Sequence, residues 1–599
     1  MKKILPKYIA KCATQCCRFN KIDQNQSKNW SSFGIMEEEE DCDIFINPLE
    51  NDLVLRTLAR YVRRRDLLRY RQVCKKFNKS VISRVRKEFY VRLDEASLGK
   101  YSSLSQFLSL LLSSDPIPYG SYLFLNLKLG NPLLQKLFTI CGSLIKALRI
   151  ELSHFDILDI YGLRELLLHR APNLQILSLE GCLPEEVISF PKFLSTIVGC
   201  KCNEMNSSSR NVPILPNIQE LFVEGRKMHP NFLVDLLRSC PNLKRLKSNK
   251  NWGLDRSTLI ISAVRDSGNF KNLNALHLND VDGSHMNILL TLSLKGMRLE
   301  EFSFKILDSV DNNSFQGLIN CHHESLRELS FGEVTGSQDN LVLNFPIMKN
   351  LRKLSRVAVC KPEIVLGPFC FATVTPNLEE LIVQTFADEV QWEEYFADVN
   401  VLYPCHSLRK LALPTNLSDT LKLVKLGKMF PNVQNITADS PRNSIISQLW
   451  TMWPELQELC LTLSDKNDGV DSIFTGIPET TCDLINLSKS FDEVDIETVR
   501  VGPSISNLRG LKKLHLETSA IFWSENLFFC DNVEPTCFLT NISGYFGLAF
   551  LPNLEDISIS CCEITDDCCH YLARVFQNYA KIFISARNHV PVFEFDELQ

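Results

Sequence analysis

The sequence predicts an α/β solenoid: a curved stack of short units, each one strand followed by a returning, partly helical segment. Two observations carry this. First, the phrase Leu-x-x-Leu-x-Leu recurs along the chain. It is clearest in 172–179 (Pro-Asn-Leu-Gln-Ile-Leu-Ser-Leu) and 376–383 (Pro-Asn-Leu-Glu-Glu-Leu-Ile-Val), and it returns from Leu326, Leu408, Leu511 and Leu554. Second, the first anchors of the phrase fall at 218, 243, 273, 299, 326, 351, 378, 408, 433 and 456, steps of 23 to 30 residues.

That period belongs to leucine-rich repeats. One unit cannot bury its apolar side alone, so units stack, and a parallel sheet and a horseshoe-shaped solenoid are expected, with the sheet on the concave side. The repeats are placed at 144–583. Between phrases the chain reads partly as helix, for example over Asn231-Phe232-Leu233-Val234-Asp235-Leu236-Leu237-Arg238. Interruptions near 183–213, 463–507 and 520–550 are expected as loops on one face of the array.

The chain has 599 residues, with 45% hydrophobic and 23% charged residues, the balance of a folded soluble protein. A repeat array can reach this length without one central core. The net charge of −5 is unevenly spread. Residues 52–92 hold 14 Lys and Arg against Asp52, Asp66 and Glu88, a local +11, so the remainder carries −16. Such asymmetry points to an acidic partner for the basic part, or to an acidic part of the same chain.

Residues 1–43 lack periodicity and end in Glu37-Glu38-Glu39-Glu40-Asp41, which predicts a disordered arm. Lys7 and Lys11 interrupt the amino-terminal apolar residues, a poor secretory signal, and the longest apolar runs are too short to cross a bilayer. The expected location is therefore cytoplasmic, nuclear or both, with no membrane partner. There the 22 cysteines are expected as reduced thiols, mostly small core residues. Cys12, Cys16 and Cys17 have no second pair at zinc spacing.

After Asn47-Pro48-Leu49, the residues Leu53, Val54, Leu58, Tyr61 and Val62 recur at three- and four-residue spacing, opposite Arg56, Arg60 and Arg63. This predicts an amphipathic helix. Asp66 stands where a second helix would be capped, and Leu67, Leu68, Val73, Cys74 and Phe77 form its apolar side. A third helix is expected over 81–93. Three short helices make a marginal unit, of the kind that needs a partner to cover it.

Residues 66–77, Asp-Leu-Leu-Arg-Tyr-Arg-Gln-Val-Cys-Lys-Lys-Phe, resemble the second half of an F-box: Asp-Leu, then Val-Cys, then an aromatic residue. Leu58 and Val62 match the usual Ile and Leu positions of the first half. The order Pro48-Leu49-Glu50 departs from the family's opening Leu-Pro, and Phe77 stands for the more frequent tryptophan. Across 44–92, joined to the repeats, the chain resembles F-box and leucine-rich-repeat proteins. Over 93–143 the apolar helical segments 104–112 and 132–140 are expected as a linker and cap, because an open solenoid end would expose its core. The resemblance implies a three-helix F-box. It also implies a substrate-recognition role in an SCF-type ubiquitin ligase. Leu49, Leu53, Leu58, Val62, Leu67, Leu68, Val73, Cys74 and Phe77 would contact, or support contact with, a Skp-type adaptor. That adaptor holds the cullin and RING subunit, and the repeats would bind an unknown protein substrate. Two other classes stay open: a repeat scaffold with a degenerate F-box, and a nucleic-acid binder using the basic helices, against which the apolar stripe argues.

No catalytic constellation stands out, and no cofactor or metal is expected. Phosphate-loop, nucleophile-elbow and His-Glu-x-x-His patterns are absent from the sequence. Cys321-His322-His323-Glu324 has metal-ligand residue types, but adjacent side chains point apart. Cys568-Cys569-His570 is expected within the last repeat's helix. Three successive phrases carry Arg352-Lys353, Glu379-Glu380 and Arg409-Lys410. With strands about 4.8 Å apart these pairs can form a ladder of opposite charges. That ladder is either a self-neutralising surface or a substrate-facing stripe. The tail over 584–599 is acidic.

Overall fold

The computed structural model describes residues 91–94, 120–125, 132–154, 166–182, 214–224, 230–248, 254–308, 312–335, 341–356, 364–366, 370–383, 396–414, 419–463, 469–488, 494–518, 539–576 and 581–586, with a few single residues between them. The amino-terminal arm, the nine F-box positions from Leu49 to Phe77, the 183–213 insertion and the tail beyond 586 lie outside the described residues. The chain divides into two compact units, up to Asn242 and from Leu243 onward.

In the first unit five parallel strands pair in chain order: β1 (Val91–Asp94), β2 (Ser121–Leu125), β3 (Ala147–His154), β4 (Ile176–Cys182) and β5 (Glu220–Glu224). Alternate side chains enter the core in register: Tyr122, Leu148, Leu177 and Leu221 form one row, and Phe124, Ile150, Leu179 and Val223 the next. The Pro132–Cys141 helix closes over them, with Phe138 5.8 Å from Phe124 between ring centroids. The parallel ladder therefore begins at Val91, about two strands before residue 144. The segment 93–143 contributes strands of the same sheet as well as the helix expected of a cap. Its strands use Tyr122 and Phe124 where later repeats use leucine, so the repeating phrase is absent although the alternation is present.

The second unit continues the scheme with β6 (Arg245–Ser248), β7 (Ala275–His277), β8 (Asp280–Asp282), β9 (Glu301–Asp308) and β10 (Glu328–Thr335). Then follow β12 (Lys353–Arg356), β14 (Glu380–Val383), β15 (Lys410–Leu413), β16 (Asn435–Asp439), β17 (Glu458–Leu463), β18 (Lys513–Thr518), β19 (Asp556–Cys562) and β20 (Lys581–Ala586). β7 and β8 both line β9, and from β9 to β20 these strands pair parallel in this order. A separate pair joins β11 (Leu341–Leu343) to β13 (Ile364–Leu366).

Each phrase explains its own geometry. Its first leucine turns in just before the strand, and its second and third alternate into the core. Leu378, Leu381 and Val383 are all buried, as are Leu408, Leu411 and Leu413, and Leu511, Leu514 and Leu516. Burying one such side chain is worth about 1.5–3 kcal/mol. Part of that burial is supplied by the neighbouring repeat, so each unit depends on the units beside it. Helices Gly283–Leu294 and Asn312–His322 pack against each other on the core side, and Phe315 meets Phe304 of β9 edge-on at 5.5 Å.

The turns are tied together by asparagine. In the first unit Asn173 Nδ2 donates to Ser143 O (2.8 Å), Asn217 to Pro172 O (2.7 Å) and Asn242 to Pro216 O (2.8 Å). In the second, Asn350 donates to Glu324 O (2.6 Å), Asn377 to Lys349 O (2.9 Å), Asn432 to His406 O (2.9 Å) and Asn553 to Arg509 O (2.8 Å). In each case the acceptor lies in the turn of the preceding repeat.

The 463–507 insertion, expected as a loop, is helical. Val470–Thr475, Glu479–Ser488 and Ile496–Val499 are helices, and Ile477, Cys482 and Ile485 share a small core with Ile542 and Phe546. Buried Asp471 fastens this block. Its Oδ1 accepts from Thr540 N (3.0 Å) and Ser543 Oγ (2.5 Å), and its Oδ2 from Thr540 Oγ1 (2.6 Å). Arg500 donates from Nε to Thr475 O (2.9 Å) and from Nη2 to Phe546 O (2.6 Å), placing one cation at two helix ends. Gly544 lets the Asn541–Phe546 helix approach the Asp566–Val575 helix, since a Cβ there would fall 2.3 Å from Cys568 Sγ.

Candidate functional site

Successive strands of the second unit place one residue per repeat at equivalent register on the sheet face opposite the leucines. The column runs Glu301, Glu328, Lys353, Glu380, Lys410, Asn435, Glu458, Lys513 and Asp556. Period-two alternation produces it: Leu381 and Val383 point into the core, so Glu380 and Ile382 face away.

The charges in this column pair along it. Lys353 Nζ reaches Glu380 Oε1 at 2.9 Å, and Lys513 pairs with Glu458, which also accepts from Asn435 Nδ2 (2.8 Å). Arg245 bridges past Ala275 to Glu301 at 2.5 Å, and His277 Nε2 lies 3.3 Å from the other oxygen of that carboxylate. Burial and Lys247 lower the His277 pKa, against the pull of Glu301. One position earlier in the phrase, Arg352 Nη1 meets Glu379 Oε1 at 2.7 Å and Arg327 Nε meets Glu300 Oε2 at 3.3 Å.

Of the six residues singled out in the sequence, Lys353, Glu380 and Lys410 stand in the column, while Arg352, Glu379 and Arg409 lie one position earlier, just before their strands. Arg352 with Glu379, and Lys353 with Glu380, form the ladder pairs. The third phrase departs from the pattern: Arg409 turns its guanidinium to Asn432 O at 3.0 Å. Among the described residues Lys410, although in register with Glu380, makes no ion pair. Arg352 and Glu379 are half-exposed, so each such pair is worth about 0–1 kcal/mol.

The buried polar groups serve structure. In Cys321-His322-His323-Glu324, Cys321 is exposed and His322 buried, so the four residues diverge. His322 Nδ1 accepts from Leu299 N (3.2 Å) and its Nε2 lies 2.7 Å from Ser293 Oγ, joining two helices. His285 Nε2 likewise lies 2.7 Å from Thr258 Oγ1. In the sequence His322 stands out only within the Cys321-His322-His323-Glu324 group, and His285 not at all. Among the described residues no group of three or more His, Cys, Asp or Glu side chains is placed to hold a metal ion, and no helix is long and apolar enough to cross a membrane. Cys568 and Cys569 are buried in the Asp566–Val575 helix, where burial pushes the Cys569 thiol up to about 11. Burial raises Cys240 to about 12 and Cys482 to about 11, so these are core thiols and not nucleophiles.

No protein-family profile and no curated protein matches the chain. Among solved structures it is similar to a Leptospira interrogans LRR protein, at 14% identity and a TM-score of 0.29, over 78% of this chain and 90% of that one. At that TM-score the likeness adds no weight of its own. The leucine-rich-repeat character stands on the chain's phrases and on the parallel strand that each of them forms.

Proposed function

We propose that this chain is a non-catalytic binding protein whose repeat array holds a protein partner on the exposed face of its sheet, and whose F-box-like segment docks a Skp-type adaptor. In that reading it is the substrate receptor of an SCF-type ubiquitin ligase, and ubiquitin transfer is done by the recruited conjugating enzyme. The observation that supports the binding role is the column from Glu301 to Asp556, one half-exposed position per strand, offering regularly spaced polar groups across many repeats. The adaptor half rests on Asp66-Leu67-Leu68 and Val73-Cys74 with Phe77 in the sequence. The gain from such a receptor is effective concentration: a substrate lysine held near activated ubiquitin reacts almost intramolecularly.

The decisive experiment is co-purification of the full chain with a Skp-type adaptor, beside the Leu67→Ala, Leu68→Ala double variant. Capture by the wild type and loss by the folded variant is the expected result. Absence of capture by well-folded wild-type protein would leave the second reading, a repeat scaffold with a degenerate F-box, for which the order Pro48-Leu49-Glu50 speaks.

A further inference from the structure

The carboxyl-terminal part of the second unit carries a surface that the sheet face does not account for. Its helices Glu479–Ser488 and Asp566–Val575 carry Glu479, Asp483, Asp566 and Asp567 against Arg574 as their one Lys or Arg, a net acidic balance. In this part an aromatic row crosses three elements. Phe491 stacks on Tyr545 at 4.8 Å, and Tyr545 meets Tyr571 at 4.7 Å. On the Asp566–Val575 helix Asp567, Tyr571 and Val575 follow at four-residue spacing and so share one face. Tyr571 is 38% and Val575 42% exposed, and Leu484, on the helix beside Tyr545's, is 66% exposed. Exposed carboxylates accompany them: Asp483 next to Leu484, and Asp566 and Asp567 one turn before Tyr571.

Exposed apolar side chains rimmed by polar residues mark an interaction surface. Its charge selects the partner. A net acidic rim disfavours phosphate backbones and anionic lipid headgroups and favours cationic protein segments. We propose that this face, formed by the Glu479–Ser488 and Asp566–Val575 helices and the Phe491–Tyr545–Tyr571 row, docks a basic amphipathic helix of a partner protein. Leucine-type anchors would lie on the aromatic row and Lys or Arg would meet the rim. This surface is separate from the sheet face of the proposed receptor role and does not depend on it.

The test uses the full-length chain and two fluorescein-labelled 18-residue amphipathic peptides, one of Leu and Lys, the other of Leu and Glu, followed by fluorescence anisotropy. The Lys peptide is expected to bind at least about tenfold more tightly than the Glu peptide. Val575→Arg should weaken it by about tenfold, and Asp483→Asn with Asp567→Asn, which leaves the packing intact, by about threefold to tenfold. Lys353→Ala, on the sheet face, should leave it unchanged. Equal binding of the two peptides would overturn the proposal. So would unchanged affinity in both the Val575→Arg chain and the Asp483→Asn, Asp567→Asn chain.

Discussion

Ser293 Oγ and His322 Nε2 lie 2.7 Å apart at the junction of two successive helices. Because Leu299 N–H already points at Nδ1, the proton of the neutral ring resides on Nε2 and is donated to Ser293, whose own hydroxyl donates to Leu289 O at 2.7 Å. A protonated ring would set a second N–H against Leu299 N–H. Burial, and secondarily Arg298, lower the His322 pKa to about 4. The folded state thus binds this proton less tightly than the unfolded chain, where histidine titrates near 6.5. The penalty is nil above about pH 6.5, grows as pH falls, and is complete below about 4. Its size is on the order of 3 kcal/mol. Urea midpoints measured between pH 7 and 4 should fall more steeply for wild type than for His322→Gln. Parallel curves would show that the ring carries its proton without cost.

The asparagine ladder should behave as a set of nearly equal and local contributions. Asn377→Ala removes the donor to Lys349 O in a solvent-accessible turn, so a loss of about 0.5–1.5 kcal/mol is expected. Asn432→Ala should cost the same within error, because its contact to His406 O repeats that geometry. The pair should be additive unless coupled through the intervening repeat. Urea denaturation of the two single variants and the double variant measures all three quantities.

The sequence makes the second unit legible from Leu326 onward because each leucine phrase states both a strand and its buried side. The order of the strands follows from chain order alone. Tyr122 and Phe124 hid the strands before residue 144, since alternation without leucine resembles any short apolar run. The Pro-Asn-Leu spelling at 172–174 and 376–378 already contained the ladder, but a donor's partner one repeat away is invisible until repeats are superposed. Asp471 and Arg500 were beyond reach for a different reason: Thr540 and Phe546 lie tens of residues away in sequence. Only folding of the 463–507 segment brings them together.

The ladder of opposite charges makes a quantitative prediction about the sheet face. Lys353 stands between Glu328 and Glu380 in register, so Lys353→Glu places three carboxylates in a row. A destabilisation of about 1 kcal/mol is expected, since the pair to Glu380 is lost and repulsion gained. Exchanging both residues, Lys353→Glu with Glu380→Lys, restores the pair itself but moves the new lysine beside Lys410. Recovery should therefore be partial. In 1 M salt the differences among the variants should shrink, because these groups are a quarter or more exposed. A difference that salt leaves intact would mean that packing, not charge, holds the pair.

Asp471 should matter more than any surface charge. It is buried, and its two oxygens satisfy one backbone N–H and two hydroxyls that secure the Asn541–Phe546 helix to the insertion. Asp471→Ala removes the acceptor of three donors, the buried Ser543 hydroxyl and the part-buried Thr540 N–H and hydroxyl, at about 1–3 kcal/mol for each left unsatisfied. The loss should concentrate in this block, since repeat arrays transmit little beyond nearest neighbours. Amide exchange should therefore accelerate in 470–507 and 541–546 while β9 to β14 keep their protection. Asp471→Asn, which keeps the shape and one acceptor, should produce the same pattern in weaker form. Uniform acceleration along the whole unit would instead mean that the insertion is part of one cooperative core with the sheet, and that Asp471 helps to hold all of it.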